Sequence, residues 1–339
     1  MIDNILVSVV LPVYNCSTYI DEAVQSIISQ THRNIELLII DDSSIDGTTE
    51  KLSAWERLDN RVRSVRNETN SGEGESRSRG IRLAKGDFIA FMDGDDISFP
   101  DRIEKQLSYL IAHPEIDVLG TGCQILGQEK TITLPSDHEA IAVGFLLDSM
   151  IVNPTTMFRA VRLKQITRLY LEPFAPALDY EFFVYLLGKG FRFANLSDIL
   201  LYYRIHGSNI SITKYDNLLL ARKQITTSQI SKLYPNASAE FIDFLLATHY
   251  SSKFVTEEIK DKLPAYLSDL KYLKKINNNV NLYDKLIFGN FVEMTLQKTF
   301  KMMRKKYSLS RVFLIRLLYS LKVTKRLLIV SFYRQGISS

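Results

Sequence analysis

Four short aliphatic and β-branched runs, at residues 7–13, 35–40, 62–65 and 87–92, recur through the first quarter of the chain, separated by segments of helical period. Uninterrupted apolar runs of this length are expected of strands covered on both faces. Between the first two, Ile20, Ala23, Val24, Ile27 and Ile28 repeat at helical spacing. Ser44, Asp46 and Thr48 offer caps for a helix through Leu52 and Trp55. Residues 72–84 read as a Gly-containing loop entering a helix, and Pro100 starts an amphipathic helix through Ile103, Leu107, Leu110 and Ile111. Successive strand–helix units of this size predict an α/β fold: a Rossmann-like, mostly parallel sheet with helices on both faces. Beyond residue 117 the pattern becomes mixed, with strands expected at 118–126, 131–134, 155–158, 191–196 and 199–204, and a helix at 179–187. After residue 213 it turns helical, which divides the chain into 1–213 and a helical, basic region 214–339.

Ligands of open α/β sheets bind outside the carboxyl ends of the strands. Three polar clusters fall there: Pro12-Val13-Tyr14-Asn15, Asp41-Asp42-Ser43-Ser44 and Asp93-Gly94-Asp95-Asp96. Three carboxylates within four residues repel one another unless a cation or hydrogen-bond donors neutralise them. All-oxygen ligands suit Mg²⁺ or Mn²⁺, which could clamp a diphosphate; a solvated turn capping the next helix is the structural alternative. Asp41 and Asp42 could accept hydrogen bonds from a nucleobase or ribose, and the same residues suit helix capping. The small-residue segment 70–80 carries Arg77 and Arg79 ahead of an apolar helix, and Arg77 is the arginine expected to face a ligand bound at these strand ends. Asp179 opens a helix, where the dipole keeps a carboxylate ionised as a general base toward an alcohol or simply stabilises the first turn. His206 closes a strand and could ligate a metal, touch phosphate, or be structural.

The runs VSVVLPVYN, AVQSIISQTHRNIELLIIDDSSIDGT, GIRLAKGDFIAFMDGDDISFPDRIEKQ, NPTTMFR, LDYEFFVYLL and YYRIHGSNIS together resemble glycosyltransferase family 2, the inverting nucleotide-sugar enzymes of GT-A fold. The resemblance spans roughly residues 5–213. It implies that Pro12, Tyr14 and Asn15 line a donor pocket, with Asp42 reading the base and Asp41 beside it. Asp93, Gly94 and Asp95 match the DxD motif: Asp95 would be the main metal contact, Asp93 would touch ribose or metal, and Gly94 would belong to the donor site. Asp179 matches the catalytic aspartate, and Mn²⁺ or Mg²⁺ is the implied cofactor, with His206 as a further candidate ligand. Two positions depart from the family pattern. Leu178 replaces the glutamate that usually precedes the catalytic aspartate, and Ser76-Arg77-Ser78 stands where Ala-Arg-Asn is usual.

Charge divides the chain as its periodicity does. From Lys271 onward there are 15 Lys and Arg against two acids, Asp284 and Glu293, so residues 1–270 carry 27 bases against 36 acids. Apolar and cationic residues interleave through 300–334, with Leu314, Leu317, Leu318 and Leu321 on one helical face, as in a helix lying on an anionic membrane surface. Packing on the catalytic domain or on a second subunit is the alternative, and no recognition module accompanies the charge to favour nucleic acid. Cys16 and Cys123 cannot form a disulfide framework, the N-terminus reads as a strand, and no apolar stretch reaches 18 residues. A cytoplasmic enzyme, peripheral on the inner membrane face, is therefore expected, with a nucleotide-sugar donor and a glycan or lipid-linked acceptor. A sugar-phosphate nucleotidyltransferase would place a Gly-rich basic loop after the first strand, and Pro12–Asn15 is not one. A non-catalytic carbohydrate- or nucleotide-binding protein remains the rival from another class, against which the intact acidic positions argue.

Overall fold

The computed structural model describes residues 2–170, 174–207, 213–250 and 258–307. Its centre is a nine-stranded mixed sheet of order β3-β2-β1-β4-β8-β6-β9-β5, with β7 paired to β6. The strands are β1 Val7–Val13, β2 Ile35–Asp41, β3 Val62–Arg66, β4 Phe88–Phe91, β5 Ile97–Ser98, β6 Val118–Ile125, β7 Thr131–Ile132, β8 Met157–Arg159 and β9 Phe193–Tyr203. The first four are mutually parallel, with Val9 opposite Leu37 and Ala90, as the uninterrupted apolar runs predict. Every residue of β1 and β4 is buried, which requires cover on both faces. Antiparallel β8 continues the sheet by joining β4 to β6.

Helices α1 Ile20–Ile28, α2 Thr48–Leu58, α3 Glu73–Leu83 and α4 Arg102–Ala112 follow β1, β2, β3 and β5. Ile20, Ala23, Val24 and Ile27 of α1, and Ile103, Leu107 and Leu110 of α4, enter one cluster with the β1 and β2 side chains. Gly80 of α3 lies against β1 so closely that a Cβ would stand 2.3 Å from Val10 Cγ1. Shorter helices α5 His138–Gly144 and α6 Ala160–Leu163 precede α7, Leu178–Gly188.

Phe193–Tyr203 form one strand, β9, where two, 191–196 and 199–204, are expected from the sequence. The β6–β9 register runs Thr121–Leu196 and then Gly122–Ile199, so Ser197 and Asp198 bulge out, exposed, without ending the strand.

The chain divides into two compact units, Met1–Ala142 with Ser149–Ala221, and Val143–Asp148 with the chain from Arg222 onward. The second unit carries α8 Tyr215–Leu233 from Arg222 on, α9 Ala239–Tyr250, α10 Glu258–Val280 and α11 Lys285–Tyr307. Within it Asp148 pairs with Arg222 at 3.3 Å and with His249 at 3.5 Å. No helix among the described residues is long and apolar enough to cross a membrane. Most of the expected surface segment 300–334 lies outside the described residues.

Candidate active site

The carboxyl ends of β1, β2 and β4 meet, and their loops are tied by hydrogen bonds. Val10 O of β1 accepts from Met92 N, so Pro12, two residues on, turns its donor-less nitrogen to the same side. The β1–β4 pairing ends at Val10–Phe91, so no ladder bond is lost there. Asn15, at φ 52°, donates its backbone N–H to Ser44 Oγ (3.0 Å) and accepts Ile45 N–H on its side-chain oxygen (2.9 Å). Cys16 N–H donates to Thr48 Oγ1 at 2.9 Å and Ser17 N–H to Asp46 Oδ2 at 3.0 Å. Tyr14 stands clear of these ties, 48% exposed, with its ring available to a ligand.

Asp41 and Asp42 are both buried. Asp41 accepts from Ser44 N–H (2.9 Å), Thr49 Oγ1 (2.7 Å) and Arg66 Nη1 (2.8 Å), which joins β2, α2 and β3. Asp42 Oδ1 accepts from Asn67 Nδ2 (2.6 Å) and Ser71 N–H (2.9 Å), and its Oδ2 from Gly72 N–H (2.8 Å). The pair thus shapes the loops around the strand ends, and Asp42 Oδ2 keeps acceptor capacity beyond its single bond.

Asp93-Gly94-Asp95-Asp96 follows β4. A Cβ on Gly94 would stand 2.8 Å from Val13 Cγ1 and 3.3 Å from Cys16 Sγ, so the motif's glycine lets the β1 and β4 ends close on each other. Arg77, 1% exposed, donates from Nε (3.1 Å) and Nη2 (2.8 Å) to Glu73 Oε1, and from Nη2 to Asp93 Oδ1. Its guanidinium lies 5.0 Å over the Phe91 ring. Arg77 is therefore held by Glu73 and Asp93, where the sequence leads one to expect it to face a donor directly. His206 Nε2 sits 2.8 Å from Asp95 Oδ2, and its ring stacks on Tyr19 at 5.0 Å. Asp96 Oδ1 accepts Arg204 N–H at 2.8 Å, while Arg204 Nε donates to Asp95 O at 2.7 Å and its Nη2 to Glu22 Oε2 at 2.8 Å. Arg204, Glu22 and Tyr19 brace the DxD loop from the sides. Sequence reasoning missed them, although Arg204 stood in the quoted run beside His206.

The electrostatics follow from crowding. Burial pushes the Asp93 carboxyl up; Arg77 opposes this and Asp95 adds to it. Asp96 is pushed well up by burial and then by the charges of Asp93 and Asp95. Burial, reinforced by Asp95, Asp46 and Asp93, raises the Cys16 thiol to about 12, so it stays neutral. Burial brings Arg102 down to about 10, against the pull of Asp96 and Asp93; it donates to Phe91 O (3.0 Å) and Pro154 O (2.7 Å).

Asp179, the second residue of α7, joins the same neighbourhood. Two tyrosines report this. Burial raises the phenols of both Tyr170 and Tyr203, and each also feels the charges of Asp93 and Asp179. A Cβ on Gly74 of α3 would meet Tyr170 Cβ at 2.8 Å and Leu178 Cδ1 at 3.3 Å, so the start of α7 docks on α3 one turn before Arg77. Asp42 connects to α3 as well, since Asn67 Nδ2 also donates to Ser76 Oγ at 3.0 Å. The predicted residues from three separate stretches of chain are thereby brought together. Tyr170 carried no signal in the sequence, and Tyr203 only its place in the run that contains His206.

The described residues contain no ready-made cluster of three His, Cys, Asp or Glu groups arranged for a metal. A Mg²⁺-like ion carried on a diphosphate needs only one or two carboxylates from the protein, keeping water and phosphate oxygens for the rest. The adjoining Asp95 carboxylate and His206 imidazole, with Asp93 nearby, fit that requirement.

A mixed, mostly parallel sheet with helices on both faces and acidic loops at its strand ends is the architecture of the GT-A fold. The family profile described as glycosyl transferase family 2 matches residues 8–172, and the chain belongs to that family. It is 31% identical to the putative teichuronic acid biosynthesis glycosyltransferase TuaG of Bacillus subtilis, over 62% of this chain and 83% of that one. Identity is 29%, over 63% and 83%, with the UDP-Glc:alpha-D-GlcNAc-diphosphoundecaprenol beta-1,3-glucosyltransferase WfaP of Escherichia coli. Among solved structures, S. aureus TarS 1-349 in complex with UDP-GlcNAc superposes with a TM-score of 0.56 at 18% identity, over 85% of this chain and 90% of that one. Mannosyltransferase PcManGT from Pyrobaculum calidifontis, in complex with GDP-Man and Mn²⁺, gives 0.53 at 15% identity, over 88% and 87%.

Proposed function

We propose that the protein transfers a sugar, with inversion, from a nucleoside-diphosphate sugar of the UDP type to a hydroxyl of a glycan or lipid-linked acceptor, in surface-polysaccharide assembly. The observation that carries this reading is the packing of Tyr170 and Leu178, the residue before Asp179, against Gly74 of α3, one turn from the Arg77 that pairs with Asp93. The Asp95–His206 side of this site would hold a diphosphate, and Asp179 would face an alcohol. The names of the TuaG and WfaP relatives favour a cell-envelope glycan acceptor and a UDP-sugar donor.

In this reading Tyr14, Pro12 and Asn15 flank the nucleoside, the Asp41-Asp42 pair shapes the wall against which the base rests, and Gly94 gives the donor close approach. Asp95 and His206, with Asp93, would hold Mn²⁺ or Mg²⁺, which when bound offsets charge developing on the departing diphosphate. Asp179 takes the proton of the acceptor hydroxyl as its oxygen forms a bond to the anomeric carbon. The bond from that carbon to the diphosphate oxygen breaks in the same displacement, so the configuration inverts and no enzyme nucleophile is required. Arg77 orients Asp93 through their ion pair. Residues 1–213 would be the catalytic domain. The basic region 214–339, through its segment 300–334, would lie at the inner face of a membrane.

A panel of nucleotide sugars assayed with Mn²⁺ and Mg²⁺ tests the reading. Turnover of one UDP-sugar, abolished in Asp179→Asn while donor binding persists, is expected. Release of pyrophosphate from a nucleoside triphosphate and a sugar phosphate would assign the site to nucleotidyl transfer instead. Nucleotide-sugar binding without turnover in any acceptor extract would leave only a binding protein.

A further inference from the structure

In the helical unit, α10 ends at Val280 and α11 begins at Lys285. The turn between them is built to hold its shape. Asn281 takes the left-handed conformation (φ 52°), one of the few non-glycine residues to do so readily, and its N–H donates to Asn277 O at 2.7 Å. The Asn277 side chain is fully buried and clasps Tyr283 twice: Nδ2 donates to Tyr283 O and Tyr283 N–H donates to Oδ1, both at 2.9 Å. Tyr283 is buried and stacked on Phe288 at 5.8 Å. Asp284 Oδ1 accepts from Leu286 N–H and Ile287 N–H, each at 2.9 Å, and so caps α11.

A turn fixed this firmly nonetheless exposes three aliphatic side chains within seven residues: Val280 at 59%, Leu282 at 50% and Leu286 at 73%. Single exposed apolar residues are ordinary, but three within seven residues of one hydrogen-bonded turn suit a contact surface. The exposed Lys275 and Lys285 lie on either side of it in sequence, and its one acid, Asp284, has Oδ1 engaged in the cap, which leaves a net positive charge. Residues 271–300 carry five basic residues against two acidic ones. Aliphatic groups fringed by lysines complement a surface that is apolar beneath and anionic above. A groove on a protein partner accounts for the three aliphatic groups and leaves the surplus cations unexplained.

We propose that the α10–α11 turn is a lipid-insertion tip: Val280, Leu282 and Leu286 enter an anionic bilayer surface while Lys275 and Lys285 meet lipid phosphates. This contact is distinct from segment 300–334 and does not depend on the chemistry proposed for Asp179.

Co-sedimentation of the full chain with phosphatidylglycerol/phosphatidylcholine vesicles, compared with phosphatidylcholine alone, provides the test. Wild type is expected to bind the anionic vesicles and to weaken as salt rises. The triple variant Val280→Ser/Leu282→Ser/Leu286→Ser, at matched thermal stability, is expected to bind at least about tenfold less tightly. Lys275→Ser/Lys285→Ser should reduce binding at low salt and matter less at high salt. Leu282→Trp supplies a second readout, a blue-shifted emission with anionic vesicles only. Wild type that ignores anionic vesicles, a triple variant that binds them as wild type does, or an unshifted Leu282→Trp spectrum overturns the proposal. A triple variant that changes oligomeric state while keeping vesicle binding overturns it in favour of a second copy of the chain. Turnover of a UDP-sugar onto a soluble acceptor should be equal in all variants, so failure of the tip and failure of the enzymatic reading are told apart.

Discussion

Arg77 and Asp93 form an ion pair between the middle of α3 and the end of β4, with the guanidinium 1% exposed and the carboxylate side chain 27% exposed. Burial works against the guanidinium's charge, yet Asp93 and Glu73 hold its proton far more tightly than usual. The first carboxylate of the DxD loop is thereby pinned from below by a helix that also carries the docking point of α7.

Removing the guanidinium leaves a partly buried carboxylate without its partner. Arg77→Met is expected to destabilise the protein by about 3 kcal/mol, the low end for broken buried pairs because Asp93 retains some exposure. Arg77→Lys should recover part of the loss, since it restores charge without the fork that bridges Glu73 and Asp93. Urea unfolding of the three proteins checks both statements.

Gly74 is where α3 admits Tyr170 and Leu178. A methyl group there meets Tyr170 Cβ at 2.8 Å, so Gly74→Ala should cost about 1–3 kcal/mol by overpacking. It should also displace the start of α7. Transfer turnover should fall by more than tenfold while the donor dissociation constant moves less than twofold, as measured by steady-state kinetics beside calorimetric titration of UDP.

Ser43 sits at φ 69°, with its hydroxyl donating to Glu68 O at a long 3.3 Å. Ser43→Gly removes the left-handed penalty of roughly 1–2 kcal/mol and gives back about 0.5 kcal/mol with the hydrogen bond. A net gain of up to about 1 kcal/mol is expected, visible as a higher melting temperature. Ser43→Val should melt lower than wild type.

Acid stability should depend on Asp46. Burial opposes its ionisation, but donors from Thr48 and Ser17 outweigh that and hold the carboxyl at about 2 against an ordinary 3.8. A depressed folded-state value means that the stabilisation is complete above the unfolded value and disappears as pH falls through the folded one. The stability difference between wild type and Asp46→Asn should therefore be constant near neutrality and shrink between about pH 4 and pH 2. Denaturation curves taken across that window read the slope directly.

Legibility in the sequence tracked how local each determinant is. The parallel half of the sheet was readable because β1 and β4 are covered on both faces and so lack polar interruptions. β9 was read as two strands because Ser197 and Asp198 are polar; whether such a pair breaks a strand or bulges from it is decided by β6, its neighbour in space. The acidic triplet could be found because it is contiguous. The commitment of Arg77 could not, because its partner lies 16 residues away and meets it only once α3 packs beside β4. Glu22, Tyr19 and Arg204 were hidden for the same reason: they come from α1 and from the chain just beyond β9, and nothing in their spacing announces the shared task. Tyr170 and Tyr203 are ordinary aromatics until folding sets them among the carboxylates.

The hydrogen bonds from Asn15, Cys16 and Ser17 to Ser44, Thr48 and Asp46 weld two adjacent loops into a single wall. The entropy of ordering that side is lost during folding, so it does not weaken the affinity for ligand. Under the proposed function, a nucleoside would settle there with little rearrangement of this wall, and adjustments to different sugars would be borne by residues outside it. Swapping residues within the weld should change how tightly any donor binds, while swapping residues elsewhere should change which sugar is accepted.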